Sequence, residues 1–154
     1  MPAVLNKVCG IKFTQVDDTQ QNELGIEVAA NDGRTYKYIR AGAAIAVGDA
    51  LHVDYAEGYN DLHPTSAASQ PIAGVAHVAI ADNKFGWVVV RGVVPVKAAT
   101  VVAGTPGVST ATAGTLDDTA ADAANALATA AGIGARFLTA DGTPSAGLAQ
   151  ALLS

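Results

Sequence analysis

The stretch FGWVVVRGVVPV, residues 85–96, is the most hydrophobic part of the chain and decides its predicted fold. Its valines are β-branched and favour a strand over a helix. Because residues 87–90 are apolar at every position, they predict a strand that is buried on both faces. Gly92 allows a bend or bulge at a corner, and Pro95 is tolerated at a sheet edge. The stretch therefore predicts the central strand of an all-β domain.

A hairpin is predicted upstream, in LGIEVAANDGRTYKYIRAG, residues 24–42. Apolar and polar residues alternate on both sides of Asn31-Asp32-Gly33, which supplies the residues that tolerate positive φ in a tight turn. Tyr36 and Tyr38 should share one face, because strand side chains repeat every second residue.

Short apolar runs that are punctuated by glycine predict the remaining strands. These strands are expected at residues 50–55, 72–80, 85–91, 100–102, 107–110, 133–139 and 147–153. Residues 81–84 should form a turn, and residues 60–71, which contain two prolines, a loop. We therefore expect a small β-barrel of short antiparallel strands over residues 25–154.

Two segments lie outside this pattern. Residues 1–24 are polar and weakly patterned towards their end, which predicts an extended N-terminal arm that is mobile or ordered by a neighbour. Residues 117–131 are rich in alanine, which favours a helix, but Leu127 is their only large apolar residue. A short helix and an ordered loop both remain open there.

The composition points to burial of surface between molecules. Half of the residues are apolar, but 33 of them are alanine, and charged residues make up 15% against roughly 25% in an average domain. A small domain with so few charges exposes much apolar and small-polar surface. Covering that surface with copies of the same chain or with another protein is the simplest remedy.

Charge, cysteine and hydropathy exclude several classes of function. The net charge is −5 and the nine Lys and Arg residues are scattered, so nucleic-acid binding is not expected. Cys9 is the only cysteine, which excludes an intrachain disulfide and a multi-cysteine metal site. The beginning of the chain lacks a signal-peptide pattern and no segment has the roughly 18 apolar residues of a membrane span. We expect synthesis in the cytoplasm and no membrane association.

The histidines and the paired acids are the residues that could bind a metal ion. His52 and His77 lie on predicted strands and could meet with Asp49 or Asp54 as a third ligand, but a strand histidine is more often simply hydrogen-bonded or solvent-facing. Neither Asp17-Asp18 nor Asp117-Asp118 has the order of a calcium loop, so turn formation is the favoured interpretation. We expect no metal and no cofactor.

The usual catalytic motifs are missing from the sequence. No serine lies in a Gly-x-Ser-x-Gly elbow, and AGTPGVSTATAG lacks the Lys-Ser/Thr ending of a phosphate loop. So few titratable groups would be unusual in a small enzyme. We therefore expect no catalytic residue and no small-molecule substrate.

Three segments together resemble a group of tailed-bacteriophage head proteins. These segments are LGIEVAANDGRTYKYIRAGAAIAVGDAL, PIAGVAHVAIADNKFGWVVVRGVVPVKA and a Thr/Ala/Gly-rich tail that ends in GIGARFL. The likeness covers roughly residues 24–150 and is carried by glycine and valine patterns. The matching positions are Ala41, Gly42, Ile45, Gly48 and Asp49; Gly74, Val75 and Ala76; and Trp87 to Val90 with Gly92.

The resemblance implies a capsid decoration or head-stabilising protein. Such a protein is a small β-barrel that adds to the outside of an assembled head, usually as a homotrimer where capsomers meet. The implied partner is the major capsid protein, and the implied location is the exterior of the virion. The side chains expected to form the capsid or self-association interface are Val4, Leu5, Val8, Phe13, Tyr36, Tyr38 and Trp87.

Two rival functions come from other classes. Tyr55, Tyr59 and Trp87 could form a stacking platform for carbohydrate in a host-binding module, although filling a core that is short of large side chains, or anchoring an interface, is the favoured role for the tyrosines and the tryptophan. A small hydrolase of unfamiliar type would instead require a cluster of histidine and carboxylate groups in a deep pocket. Sugar bound against the rings would favour the first rival, and such a cluster would favour the second.

Overall fold

The computed structural model describes residues 10–58, 60–68, 70–99, 101–118, 135–139 and 148–154. Every regular element within these ranges is a β-strand, which confirms the all-β class. The strands are β1 (Val16–Asp17), β2 (Glu27–Ala29), β3 (Thr35–Ala41), β4 (Ala50–Val53), β5 (Asp61–Pro64), β6 (Gly74–Val75), β7 (Phe85–Lys97), β8 (Val108–Ser109), β9 (Leu116–Asp117), β10 (Ala135–Phe137) and β11 (Leu148–Leu153). Most of the alanine-rich segment, residues 119–131, lies outside the described residues.

Strand β7 organises the molecule, as the most hydrophobic stretch predicts. Its first half pairs with β3 and its second half with β11, and the change of partner falls between Arg91, opposite Thr35, and Gly92, opposite Leu153. Gly92 has a φ of +98°, and a Cβ there would lie 2.9 Å from the carbonyl oxygen of Gly33. Glycine is therefore needed at this position both for the backbone angle and for the close approach. The bend or bulge expected at Gly92 stays a prediction, because the register irregularity of the β3–β7 ladder lies before it, between Arg91 opposite Thr35 and Val89 opposite Tyr36.

Two hydrophobic clusters lie on opposite faces of β3 and β7. Tyr38 and Trp87 belong to the larger cluster, whereas their chain neighbours Ile39 and Val88 belong to the smaller one. All four side chains are at most 2% exposed. Alternate residues of both strands thus enter different clusters, which confirms the burial on both faces that WVVV predicts.

The sheet does not close into the expected barrel. Pairings do run from β7 through β6, β4, β5 and β3 back to β7. However, β6 meets β7 through one residue pair, Val75 with Val89, and the parallel β3–β5 link has two pairs. A closed barrel needs continuous, staggered ladders. The architecture is instead compact and sandwich-like, with strands β8 and β9 as a separate two-stranded ribbon.

The hairpin and the turn at residues 81–84 are confirmed. The loop predicted at residues 60–71 and the strand predicted at residues 72–80 are both longer than the structure shows. Strands β2 and β3 pair with Val28 opposite Tyr36, and the Lys84 amide donates to the Ala81 carbonyl. Strand β5 lies inside the predicted loop at residues 60–71, where it pairs with β3 and β4. The strand expected over residues 72–80 shortens to β6, because Ala76 and Ile80 bond to the turn segment at Ile45 and Asp49 instead.

The described part of the predicted arm, residues 10–24, lies against the sheet. Val16 and Asp17 form β1 and pair with Gly86 and Phe85. The ring of Phe13 stacks on Tyr36 with 4.1 Å between centroids. Residues 1–9 lie outside the described residues.

Candidate functional site: an apolar sheet face and a cleft

Four of the seven predicted interface side chains belong to the core. Phe13, Tyr36, Tyr38 and Trp87 are each at most 7% exposed. Phe13 meets Tyr36 in a stack and Trp87 edge-on at 5.2 Å, and Tyr38 lies 5.1 Å from Trp87. Such pairs add about 0.5–1.5 kcal/mol beyond area burial. These rings hold residues 10–24 on the sheet and offer almost no surface to another molecule.

The other three predicted interface residues, Val4, Leu5 and Val8, lie outside the described residues, as does Tyr59. Trp87 cannot form part of an exposed stacking platform, because it is only 2% exposed. Of the two platform residues that the structure describes, only Tyr55 is exposed, at 72%.

The buried acids have structural partners. Asp17 accepts hydrogen bonds from the Tyr38 hydroxyl at 2.8 Å and from Gln15 Nε2 at 2.6 Å. Burial is the main cause that raises the pKa of Tyr38, and its hydrogen bond to Asp17 raises it further. Asp49 pairs with Lys97 and accepts from the Ala46 amide. These contacts fix turns and strands.

The acidic pair at residues 117–118 also holds a loop in place. The carboxylate of Asp118 accepts from the amide of Val102 and from the hydroxyl of Thr105, at 2.5 and 3.0 Å. Both donors lie in the loop that leads to β8. Asp118 therefore stabilises the loop that contains Val102 and Thr105.

The structure separates the two histidines that were considered as metal ligands. His52 lies opposite His63 on the β4–β5 ladder, with 6.0 Å between ring centroids, and His77 packs edge-on against Tyr36 at 5.0 Å. Among the residues that the structure describes, no group of three or more His, Cys, Asp or Glu side chains is placed to hold a metal ion.

His77 has a partly buried side chain whose pKa is lowered. Within the described residues its ring nitrogens have no hydrogen-bond partner, although the backbone of Phe13 lies close enough to favour the protonated form. Burial lowers the pKa of His77, and the positive charge of Arg34 lowers it further. The position of His77 between the core and residues 10–24 makes it a packing residue.

An exposed apolar face is the first feature suited to intermolecular contact. On the sheet formed by β10, β11 and the second half of β7, Leu152 lies directly opposite Val93. The amide of Leu138 donates to the Gln150 carbonyl, which places Leu138 diagonally across from Leu152. Val93, Leu138 and Leu152 are 40–44% exposed. We call these three residues, with half-buried Pro95 next to Val93 on the same face of β7, the outer patch.

The alternation of burial shows that the outer patch is a true sheet face. The neighbouring residues Val94, Ala151 and Phe137 are fully buried on the other side. A one-sided sheet usually presents polar side chains to solvent. Here the outward positions are mostly apolar. The polar residues on this face are Arg136, opposite Leu152, and Gln150, opposite Pro95.

A cleft is the second feature. It has a volume of about 670 Å³ and is lined by residues of β2, β3, β4 and β7, by the turn that follows β4, and by residues 70–73. Its walls combine buried aliphatic side chains with charged and aromatic ones. Such a volume lies within the roughly 300–1,000 Å³ of small-ligand sites.

Comparisons of the chain with protein-family models, with curated proteins and with solved structures find no match. Within the described residues, no helix is both long and apolar enough to span a membrane.

Proposed function

We propose that this chain is a structural protein of a phage virion that binds the outer surface of the assembled head. It stabilises the head by bridging subunits of the major capsid protein. The observation that carries the proposal is the outer patch, together with the resemblance to head-stabilising proteins. The protein acts by burying surface, with no covalent chemistry and no cofactor.

The outer patch suits a protein partner because its contact atoms are aliphatic and rigidly held. Val93 and Leu152 sit on strands that pair over six residues, from Leu148 opposite Lys97 to Leu153 opposite Gly92. Fully burying an exposed side chain of this kind contributes about 1.5–3 kcal/mol, of which the 40% still exposed on Val93 and Leu152 leaves roughly 0.6–1.2 kcal/mol each for a partner to bury. A preformed face loses little conformational freedom on binding. We assign the major capsid protein as its occupant.

The protein stabilises the head because its binding is thermodynamically coupled to capsid assembly. A protein that binds assembled capsid subunits but not separated ones adds its binding free energy to the assembled state. Many copies on one shell multiply the effect. The acidic surface and the loop tips face outward from the shell in this arrangement. The mature protein is located on the capsid exterior after synthesis in the host cytoplasm.

The resemblance also implies a homotrimer, which places three outer patches around one axis. Three patches on one particle engage several capsid subunits at once. Multivalent contact of this kind raises avidity without requiring strong single contacts. Bridging of neighbouring subunits is the direct consequence.

Heat resistance of heads tests the proposal. Heads assembled by the phage that encodes this chain, but without its gene, are heated with and without added purified protein. We expect the added protein to raise the temperature at which heads release DNA. Equal release temperatures with and without the protein would refute the proposed function.

A further inference from the structure

The cleft offers a site that capsid binding does not use. Its floor is apolar, with Ile72 and Val90 buried at 1% and 3% exposure and with Ala73 beside them. Its rim carries Tyr55, whose side chain is the most exposed large apolar group of the described chain at 72%. The lining thus combines an aromatic ring with aliphatic side chains, and such a ring can pack against an apolar ligand face.

The charged side chains that line the cleft leave a small excess of negative charge. Glu27 and Lys37 lie directly opposite each other on β2 and β3, and both line the cleft. Asp54 also lines the cleft and adds a second carboxylate. Two carboxylates beside one ammonium repel an anionic ligand. The rim therefore favours an uncharged ligand over an anionic one.

The same rim is rich in hydrogen-bonding groups. Carboxylates accept, the Lys37 ammonium donates, and His52 can do either. The Nδ1 atom of His52 lies 3.1 Å from the Val53 carbonyl, an oxygen that only accepts. The proton of a neutral His52 ring therefore belongs on Nδ1, which leaves Nε2 as an acceptor. An uncharged ligand with many hydroxyl groups and an apolar face matches these donors and acceptors.

From these features we propose that the cleft is a binding site for a neutral saccharide. One face of a pyranose ring stacks on Tyr55, and its hydroxyl groups bond to Glu27, Lys37 and His52. The cleft and the outer patch share no residue. The site therefore adds a second function, attachment to a glycan-bearing surface, that is independent of capsid binding.

The test is a glycan array followed by titration. The purified full chain is applied to immobilised neutral and sialylated oligosaccharides, and the best binder is titrated in solution by calorimetry. We expect binding to neutral glycans. Tyr55→Ala should weaken binding about tenfold or more, since it removes the stacking surface, whereas Tyr55→Phe should stay within about threefold of the wild type.

Val102→Ala is the matched control, because Val102 is also exposed, at 60%, but lies outside the cleft lining. It should leave glycan binding unchanged. The proposal is overturned if no neutral glycan binds, if only sialylated glycans bind, or if Tyr55→Ala binds as tightly as the wild type. Since head binding is measured separately, failure here leaves the capsid function intact.

Discussion

The hydroxyl group of Tyr38 links the core to residues 10–24. It donates to Asp17 at 2.8 Å and accepts from the Gln21 amide at 3.2 Å, while its ring is fully buried. An unsatisfied buried carboxylate is costly. The hydroxyl group therefore adds to the ring contacts of Phe13 and the β1–β7 pairing that hold this segment on the sheet.

Tyr38→Phe removes both hydrogen bonds and should lower the free energy of unfolding by about 1–3 kcal/mol. Tyr36→Phe is the matched control, because the Tyr36 hydroxyl bonds to Asp32, which is exposed and can turn to water. The Tyr36→Phe variant should lose less unfolding free energy than Tyr38→Phe. Urea denaturation of both variants measures the difference, and an equal or larger loss in Tyr36→Phe would contradict this account.

His77 should make stability depend on pH. Its pKa is lowered by burial in the folded protein, whereas the unfolded value is about 6.5. Above pH 6.5 both states are neutral and the full stability is present. As the pH falls below that value, the unfolded chain takes up a proton first, and stability is lost until the folded pKa is passed.

The comparison with His77→Gln isolates this effect. Asp32 and Arg34, the charged groups that act on His77, remain in the variant. Between pH 7.5 and pH 5, the wild type should lose more unfolding free energy than the variant. Parallel pH curves from urea denaturation would show that His77 does not contribute.

At the scale of elements, the change of partner along β7 depends on Gly92. Gly92→Ala introduces a Cβ next to the Gly33 carbonyl at a φ of +98°. Gly104→Ala has a similar φ of +89°, but nothing lies within 4 Å of its Cβ. Strain at positive φ costs about 1 kcal/mol or more at either site.

The collision at residue 92 adds to that strain, so Gly92→Ala should be clearly less stable than Gly104→Ala. Thermal unfolding followed by circular dichroism compares the two variants. If both melt at the same temperature, the close approach of the hairpin turn to β7 is not a constraint on the fold.

The strands that local patterns specify could be predicted. Residues 85–97, the hairpin around Asn31-Asp32-Gly33 and the strand at Leu148–Leu153 all carry alternating or continuous apolar runs. Strand β5 could not be predicted, because Asp61, His63 and Pro64 lack β propensity and are held by pairing with β3 and β4. Long-range pairing of this kind leaves no local signal.

The candidate sites were less predictable than the fold. Composition indicated exposed apolar surface but not its place, because the outward positions of β10 and β11 are defined only once these strands pair. The aromatic residues predicted for an interface instead fill the core, since a chain with 5% aromatic residues has few other large side chains to bury. Tyr55 was identified, but its neighbours Glu27 and Lys37 come from distant strands.

At the scale of the whole molecule, the resemblance predicts a trimer. A trimer has three times the chain mass of 15.4 kDa. Light scattering on a size-exclusion column should give that mass for the wild type and also for Leu152→Asp, because the outer patch is assigned to the capsid. A monomer in the variant alone would show that the patch joins copies of this chain.

Binding of the outer patch to heads is the central claim, and co-sedimentation tests it most directly. Undecorated heads are mixed with wild type, with Leu152→Asp, or with Ile26→Asp. Ile26 is similarly exposed (42% against 40%) and immediately precedes β2, the strand at the other end of the sheet order. We predict that wild type and Ile26→Asp sediment with heads and that folded Leu152→Asp stays in solution. Wild type that remains in solution, or Leu152→Asp that sediments equally well, would contradict the account.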